Sequence, residues 1–126
     1  MNPAANDQIK QGRLDKALQF QSAAHVVLDL ADEHQDVADA VVTLAVHAGI
    51  AASDALCIAA LGQFHQGKGH GEAVKLLKKV DTHAAQQLDL LLGLKTRAGY
   101  GYTPIAREQL KRAVRAMDSL VLTART

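Results

Sequence analysis

The stretch Val37–Phe64, VADAVVTLAVHAGIAASDALCIAALGQF, decides how the chain folds. It contains no Lys, Arg or Glu, and Asp39 and Asp54 are its only formally charged residues. Alanine and small aliphatic side chains fill most other positions, a pattern typical of a helix that is buried on most of its circumference. We therefore predict a central core helix that neighbouring helices approach closely.

Two polar residues, His47 and Asp54, interrupt the middle of this core helix. They are seven residues apart, nearly two helical turns, so they share one face. The rise of about 10 Å between them along the helix axis is too large for direct contact. Two interpretations follow: both side chains are buried and hydrogen-bonded to neighbouring helices, or both line a small polar pocket.

Length and composition narrow the class of protein. A chain of 126 residues is one domain long and can bury a core without disulfides or metal. The single cysteine, Cys57, excludes an intrachain disulfide and lies in the most apolar helix, where we expect it to be inert. The N-terminal stretch MNPAANDQIKQGR lacks the apolar region of a secretory signal, and the core helix carries charges. We expect a cytoplasmic protein with no membrane association.

The region before the core helix predicts a first long helix. Asn6 or Asp7 can cap it, and acidic residues near its end oppose the helix dipole, which favours an end at about Glu33. Apolar residues recur mostly at three- and four-residue steps and predict one buried stripe. That stripe comprises Leu14, Leu18, Ala24 or His25, Leu28 and Ala31. Asp36 can cap the core helix after a short connection, so the first two helices should be antiparallel neighbours.

Three further helices are predicted after the core helix, which should end around Gly62–His65. They are a short amphipathic helix over Glu72–Val80, a leucine-rich helix from Ala84 to about Arg97, and a last helix that starts at Thr103–Pro104, with Leu110, Val114, Met117 and Val121 as its buried stripe. Asp81 or Thr82 can cap the leucine-rich helix. We therefore predict an all-α, up-and-down four-helix bundle with one additional short helix. It forms a single domain over residues 1–126, and residues 1–6 should be flexible.

Charge is distributed unevenly along the chain, although the net charge is only +1. Residues 1–65 carry 3 basic and 8 acidic side chains, whereas residues 66–126 carry 11 basic and 5 acidic ones. This asymmetry indicates either an anionic partner for the second half or self-association of opposite surfaces. Ordinary solvated helix faces that happen to segregate are the alternative.

The loop after the core helix contains a partial phosphate-binding pattern. The run from Gly62 to Lys68 matches G-x-x-x-x-G-K, but Gly69 replaces the hydroxyl residue that holds magnesium, and a helix instead of a strand precedes the loop. We therefore interpret it as a flexible connection. Lys68 and His70 nevertheless precede a helix N-terminus, which favours an anion there.

Neither a metal site nor covalent catalysis is favoured. No two of the six histidines have the four-residue spacing of a chelating helical pair, and no E-x-x-H occurs, so we expect no metal and no other cofactor. Ser53 and Asp54 point about 100° apart on a helix, and no G-x-S-x-G elbow is present. We assign no catalytic residue.

The segment Leu94–Pro104, LKTRAGYGYTP, combines cations with the chain's two tyrosines at one helix end. Its candidate binding residues are Lys95, Arg97, Tyr100 and Tyr102. Cations beside aromatic rings suit phosphate contact and base stacking. The alternative is structural: the tyrosines pack over the end of the bundle and the cations cap helix carbonyls.

This arrangement resembles the HEPN (higher eukaryote and prokaryote nucleotide-binding) domain family, and looks closest to its small actinobacterial branch. The similar segments are VTLAVHAGIAASDALCIAALG, GKGHGEAVKLL and KTRAGYGYTPIAREQLKRAVRAM, which together span most of residues 10–124. The resemblance implies a four- to five-helix up-and-down bundle that is usually dimeric. It also implies association with nucleotides or RNA, for which Arg97 and Tyr100 are the foremost positions here.

The chain departs from the family at the catalytic motif. Active members are metal-independent RNases with R-x(4–6)-H on a late helix, and none of the six arginines here is followed by histidine at that spacing. The catalytic pair therefore does not carry over. The resemblance instead implies a non-catalytic module, of the kind paired with a nucleotidyltransferase or a toxin–antitoxin partner.

Three hypotheses for function follow. The first is a non-catalytic, HEPN-like module that binds a nucleotide, RNA or a protein partner, as a homodimer. The second is a divergent metal-independent RNase that uses His47, His70, Lys95 or Arg97, since acid–base catalysis needs only two groups of suitable pKa near one phosphate. The third is a structural homo-oligomer in which the acidic half of one copy meets the basic half of another.

Overall fold

A computed structural model of the chain describes residues 3–65 and 69–126, and every regular element in that part is helical. The helices are α1 (Pro3–Leu30), α2 (Ala38–Leu61), α3 (His70–Lys78), α4 (Thr82–Gly99) and α5 (Arg107–Arg125), with a 3₁₀ turn over His34–Val37. The prediction of an all-α protein with four long helices and one short helix is therefore confirmed. The predicted flexible start falls in part on residues 1–2, which lie outside the described residues.

The hub of the bundle is α2, which packs against each of the other four α-helices. Most of its side chains between Ala38 and Ile58 are buried, as its composition predicts. By length and composition the segment His34–Leu61 would pass for a membrane span, but 72% of its most apolar 18-residue window is buried inside the protein. This burial is compatible with the core helix of a soluble protein.

Consecutive long helices run in opposite directions. Asn6, near the start of α1, lies beside Gly62 at the end of α2, and Thr43, near the start of α2, lies beside Gly99 at the end of α4. The first turn of α4 in turn approaches the C-terminal part of α5. The short helix α3 packs mainly on α4 and touches α2 only lightly, which leaves space between α2, α3 and α4.

The buried stripes of the outer helices lie close to the predicted ones. On α1, Ala24 and Leu28 are buried as predicted, whereas Ala17 is buried in place of Leu14 and Leu18, which are half-buried. On α5 the buried side chains include the predicted Leu110, Met117 and Val121, and Val114 is half-buried. On α5, Ala113, Ala116 and Leu120 are buried as well, so alanines supply more of this stripe than predicted.

The predicted caps at the start of the chain are wrong. Helix α1 begins at Pro3, before Asn6 and Asp7, because a proline is readily accepted in the first turn of a helix. It ends at Leu30, a turn before Glu33. Asp36 lies in the 3₁₀ turn, and the N-cap of α2 is Val37, which makes no side-chain capping bond.

Of the two later helix starts, the prediction for α4 is confirmed and the prediction for α5 is wrong. The Asp81 side chain accepts a hydrogen bond of 2.8 Å from the Ala84 amide, so the predicted cap of α4 is confirmed. Thr103–Pro104 does not start α5, which begins at Arg107. The reason is Ile105, which is fully buried and lies before the helix, between two hydrogen bonds to its own peptide groups.

Those two bonds tie the α4–α5 connection to the start of α2. The Ile105 amide donates to the Asp39 carboxylate at 2.8 Å, and the Ile105 carbonyl accepts from the Gln35 side chain. Helix α5 begins at Arg107, two residues after Ile105. The Ala106 amide donates to the Gln109 side chain at 2.9 Å, which satisfies one of the amide donors that have no partner within the helix.

The packing of α4 against α2 leaves no room for a side chain at position 49 unless Leu91 moves. A Cβ atom added at Gly49 would lie 2.5 Å from the Leu91 Cδ1 atom, and Leu91 is fully buried. Gly93, two residues further along α4, is exposed, and no atom lies within 4 Å of the position of its Cβ. The two glycines therefore differ in what a methyl group would meet.

We expect Gly49→Ala to lower the free energy of unfolding by about 1–3 kcal/mol through overpacking. Gly93→Ala should raise it by about 0.5–1 kcal/mol, because alanine loses less backbone entropy in a helix. Urea denaturation followed by circular dichroism measures both. Shifts of the same sign in the two variants would contradict this packing.

Candidate functional site

A cavity of about 550 Å³ opens between α2, α3 and α4. We call it the inner cavity; its lining residues are Ile50, Ser53, Asp54, His65, Gly69, His70, Ala73, Leu88, Leu92, Lys95 and Thr96. A volume of this size is typical of sites for small molecules. The deepest lining residues are Ser53, Asp54 and Leu88, which are buried, whereas Lys95, Thr96, Gly69 and His70 are exposed and form the mouth.

Asp54 is the charged group at the inner end of this cavity. Its side-chain carboxylate accepts a hydrogen bond of 2.9 Å from the Arg13 Nε atom of α1, and the residue is only 8% exposed. Burial raises the pKa of Asp54 to about 6, against the smaller opposing effects of the Arg13 and His65 charges. The desolvation of the carboxylate therefore outweighs its ion pair.

His65 lies beside Asp54, in the loop after α2. Its Nε2 atom is buried, and among the described residues no hydrogen-bond partner reaches it. Buried polar atoms are normally paired, so this nitrogen is an exception, and a hydrogen-bonding group in the cavity reaches it only after the imidazole ring turns. Ser53 adds a buried hydroxyl at the same end.

The mouth of the inner cavity carries the predicted candidates Lys95 and His70. Lys95 is exposed on α4 beside Thr96. His70 opens α3, and its Nε2 atom lies 2.6 Å from an Asp89 carboxylate oxygen on α4. That contact fixes the orientation of the imidazole ring. The prediction for Lys68 lies outside the described residues.

A second, smaller cavity of about 140 Å³ lies further along the same groove between α2 and α4. We call it the outer cavity; it is lined by Thr43, Val46, His47, Lys95, Gly99 and Tyr100. Lys95 lines both cavities, so it lies where they meet. The groove thus runs from Asp54 at one end to Tyr100 at the other.

His47 is exposed, so the interpretation that it is buried with Asp54 is wrong. The two residues do share a side of α2, but α1 and the loop after α2 cover Asp54, whereas His47 lines the outer cavity. The ring centroids of His47 and Phe20 are 5.5 Å apart, which is contact between α1 and α2. His47 therefore fits the other interpretation, in which it lines a small pocket.

The predicted residues at the end of α4 form an exposed edge. We call Lys95, Arg97, Tyr100 and Tyr102 the basic–aromatic edge. All four are exposed, and Tyr100 and Tyr102 have 83% and 100% of their surface open to solvent. The interpretation that the tyrosines pack over the end of the bundle is therefore wrong; the buried apolar residue of this connection is Ile105.

Arg97 makes one long contact, in which its Nη1 atom donates to the Gln109 side chain at 3.3 Å. This contact uses only one of its five donors. Arg97 therefore keeps most of its hydrogen-bonding capacity directed to solvent at the edge.

Sequence reasoning did not find Arg13, His65, Ser53 or Thr96 as site residues. Arg13 reaches Asp54 across 41 positions of the chain, and nothing in the local pattern of α1 distinguishes it from a solvated cation. For His65 a signal existed, because it follows the end of the core helix in a loop with another histidine. Spacing alone does not show that its ring is buried against Asp54.

Cys57 is buried, as expected, and burial raises the pKa of its thiol, so the thiolate form needed for nucleophilic attack is disfavoured. Within residues 3–65 and 69–126, no group of three or more His, Cys, Asp or Glu side chains is arranged to hold a metal ion.

Comparisons with known proteins do not identify the chain. No protein-family model matches it, and no curated protein or solved structure matches it either. Function therefore rests on the geometry of the groove and the basic–aromatic edge.

The raised pKa of Asp54 predicts how stability depends on pH. The folded state holds the Asp54 proton more tightly than the unfolded chain does, so stability falls as pH rises from the ordinary pKa of 3.8 to about 6. The difference between these pKa values corresponds to about 3 kcal/mol. Asp54→Asn removes this term, so the variant should gain about that amount relative to the wild type between about pH 4 and pH 7.

Urea denaturation across this pH range measures the gain, and carbon-13 NMR of the carboxyl group reports the titration directly. Asp29→Asn, at an exposed position of α1, is the control for loss of one carboxyl group. If both variants show the same pH profile relative to the wild type, burial of Asp54 is not the cause.

Proposed function

We propose that the chain is a non-catalytic binding module that takes single-stranded RNA, or a nucleotide, at its basic–aromatic edge. The observation that carries the proposal is the exposure of both tyrosines beside two cations. Large aromatic side chains that are almost fully open to solvent are unusual, because burial of a ring is favourable. At a nucleic-acid surface the same ring stacks on a base while neighbouring cations contact phosphates.

The groove between α2 and α4 extends this edge. Lys95 lies where the inner and outer cavities meet, and Tyr100 forms part of the wall of the outer cavity. A strand that stacks on Tyr100 would therefore bring a phosphate within reach of Lys95. Because every base has a stacking face, this arrangement favours single strands without strong sequence preference.

A HEPN-like fold, a protein partner and a homodimer belong to the same proposal. The five-helix layout supports the HEPN-like fold. Exposed apolar side chains on α1 and α5, Val26, Leu30 and Leu122, support a homodimer or a protein partner. The uneven charge distribution supports a homodimer less than the sequence indicates. Asp32 and Glu33 line a cavity of about 340 Å³ together with Arg107 and Lys111, so acidic and basic residues already meet within one chain.

RNA binding is measured by fluorescence anisotropy with a labelled single-stranded oligoribonucleotide. Tyr102→Ala should weaken binding by about 5- to 100-fold, which corresponds to about 1–3 kcal/mol for one base stacked on an aromatic ring. Tyr102→Phe keeps the ring and should bind as the wild type does. Arg125→Ala is the control for net charge, because it removes an exposed cation in the last turn of α5, and the C-terminal part of α5 lies beside the start of α4 and not beside the edge.

Equal affinity of the wild type and Tyr102→Ala would exclude stacking at this position. Equal affinity for single-stranded and duplex RNA would also count against the proposal, because bases inside a duplex do not offer their faces.

A divergent RNase is the second candidate, and one observation favours it. His47 and Lys95 line the same cavity beside Tyr100, so an imidazole and an ammonium group face one space. A base and a cation near one phosphate are sufficient for metal-independent cleavage.

Incubation of the protein with labelled RNA in EDTA tests this second candidate. Cleavage by the wild type and not by the Lys95→Ala/Arg97→Ala double variant would support an RNase. His47→Ala then tests the base, and Lys75→Ala on α3 controls for loss of one cation. Under the binding proposal we expect no cleavage by any of these proteins.

A further inference from the structure

We propose that the inner cavity binds a small phosphate monoester whose hydroxyl-bearing head enters the cavity while its phosphate remains at the mouth. This inference goes beyond the proposed function, because it concerns the interior between α2, α3 and α4 and not the exposed edge. It rests on the order of the lining residues: polar at the inner end, apolar in the middle and basic at the mouth.

The inner end suits hydroxyl groups. Asp54 presents a carboxyl group and Ser53 a hydroxyl, and a turn of the His65 ring would bring its Nε2 atom, which no described residue pairs, to the cavity surface. Together these groups offer both donors and acceptors, which a hydroxyl group can satisfy from either side. A phosphate does not suit this end, because Arg13 is already engaged in an ion pair with Asp54 and burial would remove the hydration of the phosphate.

The middle of the inner cavity is apolar. Ile50, Ala73 and Leu92 line it, next to the more deeply buried Leu88. These side chains can pack against the carbon skeleton of a sugar ring or against the face of a base. The volume of about 550 Å³ admits a molecule of the size of a nucleoside monophosphate or a sugar phosphate.

The mouth suits the phosphate. Lys95 supplies an ammonium group and Thr96 a hydroxyl, and both residues are exposed, so an anion bound there keeps part of its hydration. The His70 ring lies on the opposite rim, oriented by Asp89. Asp89 is an acidic residue, so among the described residues of the mouth the attraction for an anion depends mainly on Lys95.

Isothermal titration calorimetry tests the proposal with four probes. Ribose 5-phosphate and adenosine 5′-monophosphate carry both halves of the ligand, whereas ribose and inorganic phosphate carry one half each. We expect at least one monoester to bind about 10-fold or more tightly than either half, which corresponds to about 1.4 kcal/mol. Tighter binding of the adenosine compound would assign the site to nucleotides, and tighter binding of ribose 5-phosphate would assign it to sugar phosphates.

Three variants locate the binding. Ala73→Leu fills the apolar middle of the inner cavity and should abolish binding while the melting temperature stays at or above that of the wild type. His65→Ala removes the unpaired nitrogen and should weaken binding of the monoester about 10-fold. Lys75→Ala, on the exposed side of α3, should leave it unchanged.

The proposal is overturned if neither monoester binds at millimolar concentration, if inorganic phosphate alone binds as tightly as the monoesters, or if Ala73→Leu binds like the wild type. Tyr102→Ala separates this inference from the proposed function. This variant should leave monoester binding intact while it weakens binding of RNA. The proposal for the inner cavity and the proposal for the basic–aromatic edge can therefore be disproved separately.

Discussion

The architecture depends on the need to cover α2 on all sides. A helix whose surface is apolar around most of its circumference loses stability wherever it meets water, so each neighbour is held in place by the same requirement. Helices α1, α4 and α5 supply most of the cover, and Gly49 leaves room on α2 for the Leu91 side chain of α4. The Asp39–Ile105 hydrogen bond then fastens the connection that delivers α5 to its place.

The surface of α2 is incompletely covered next to α3, which is shorter than the other helices. Because α3 has only nine residues and packs mainly on α4, it leaves the end of α2 facing a cavity. Ser53 and Asp54 of α2 occur at this end, and Arg13 of α1 and His65 of the following loop meet Asp54 there. The same gap in the packing thus makes a buried carboxylate tolerable and provides space for a ligand.

Much of the fold could be predicted from the sequence, because composition and periodicity report burial directly. The absence of Lys, Arg and Glu from the core helix identified α2, and Asp81 identified the start of α4. The start of α5 was mispredicted because the local signal of Thr103–Pro104 competes with burial of Ile105, and burial is the larger effect. Local pattern cannot report such a tertiary contact.

The candidate site was predictable only in part, for a related reason. Helical spacing correctly places His47 and Asp54 on one side of α2, but it says nothing about what covers that side at each level. One residue is exposed and the other is buried because the neighbours change along the axis. Lys95 and the two tyrosines were found from their types and order, whereas Arg13 and His65 join the site through contacts that no local pattern contains.

Because of its position, Cys57 can report transient opening of the bundle core. The only thiol in the sequence lies on the hub helix and is 2% exposed, so a thiol reagent reaches it only when a neighbouring helix moves away from α2. Its labelling rate therefore measures the free energy of opening the core without any added probe. A ligand held between α2, α3 and α4 would slow that reaction if the opening separates the helices that it joins.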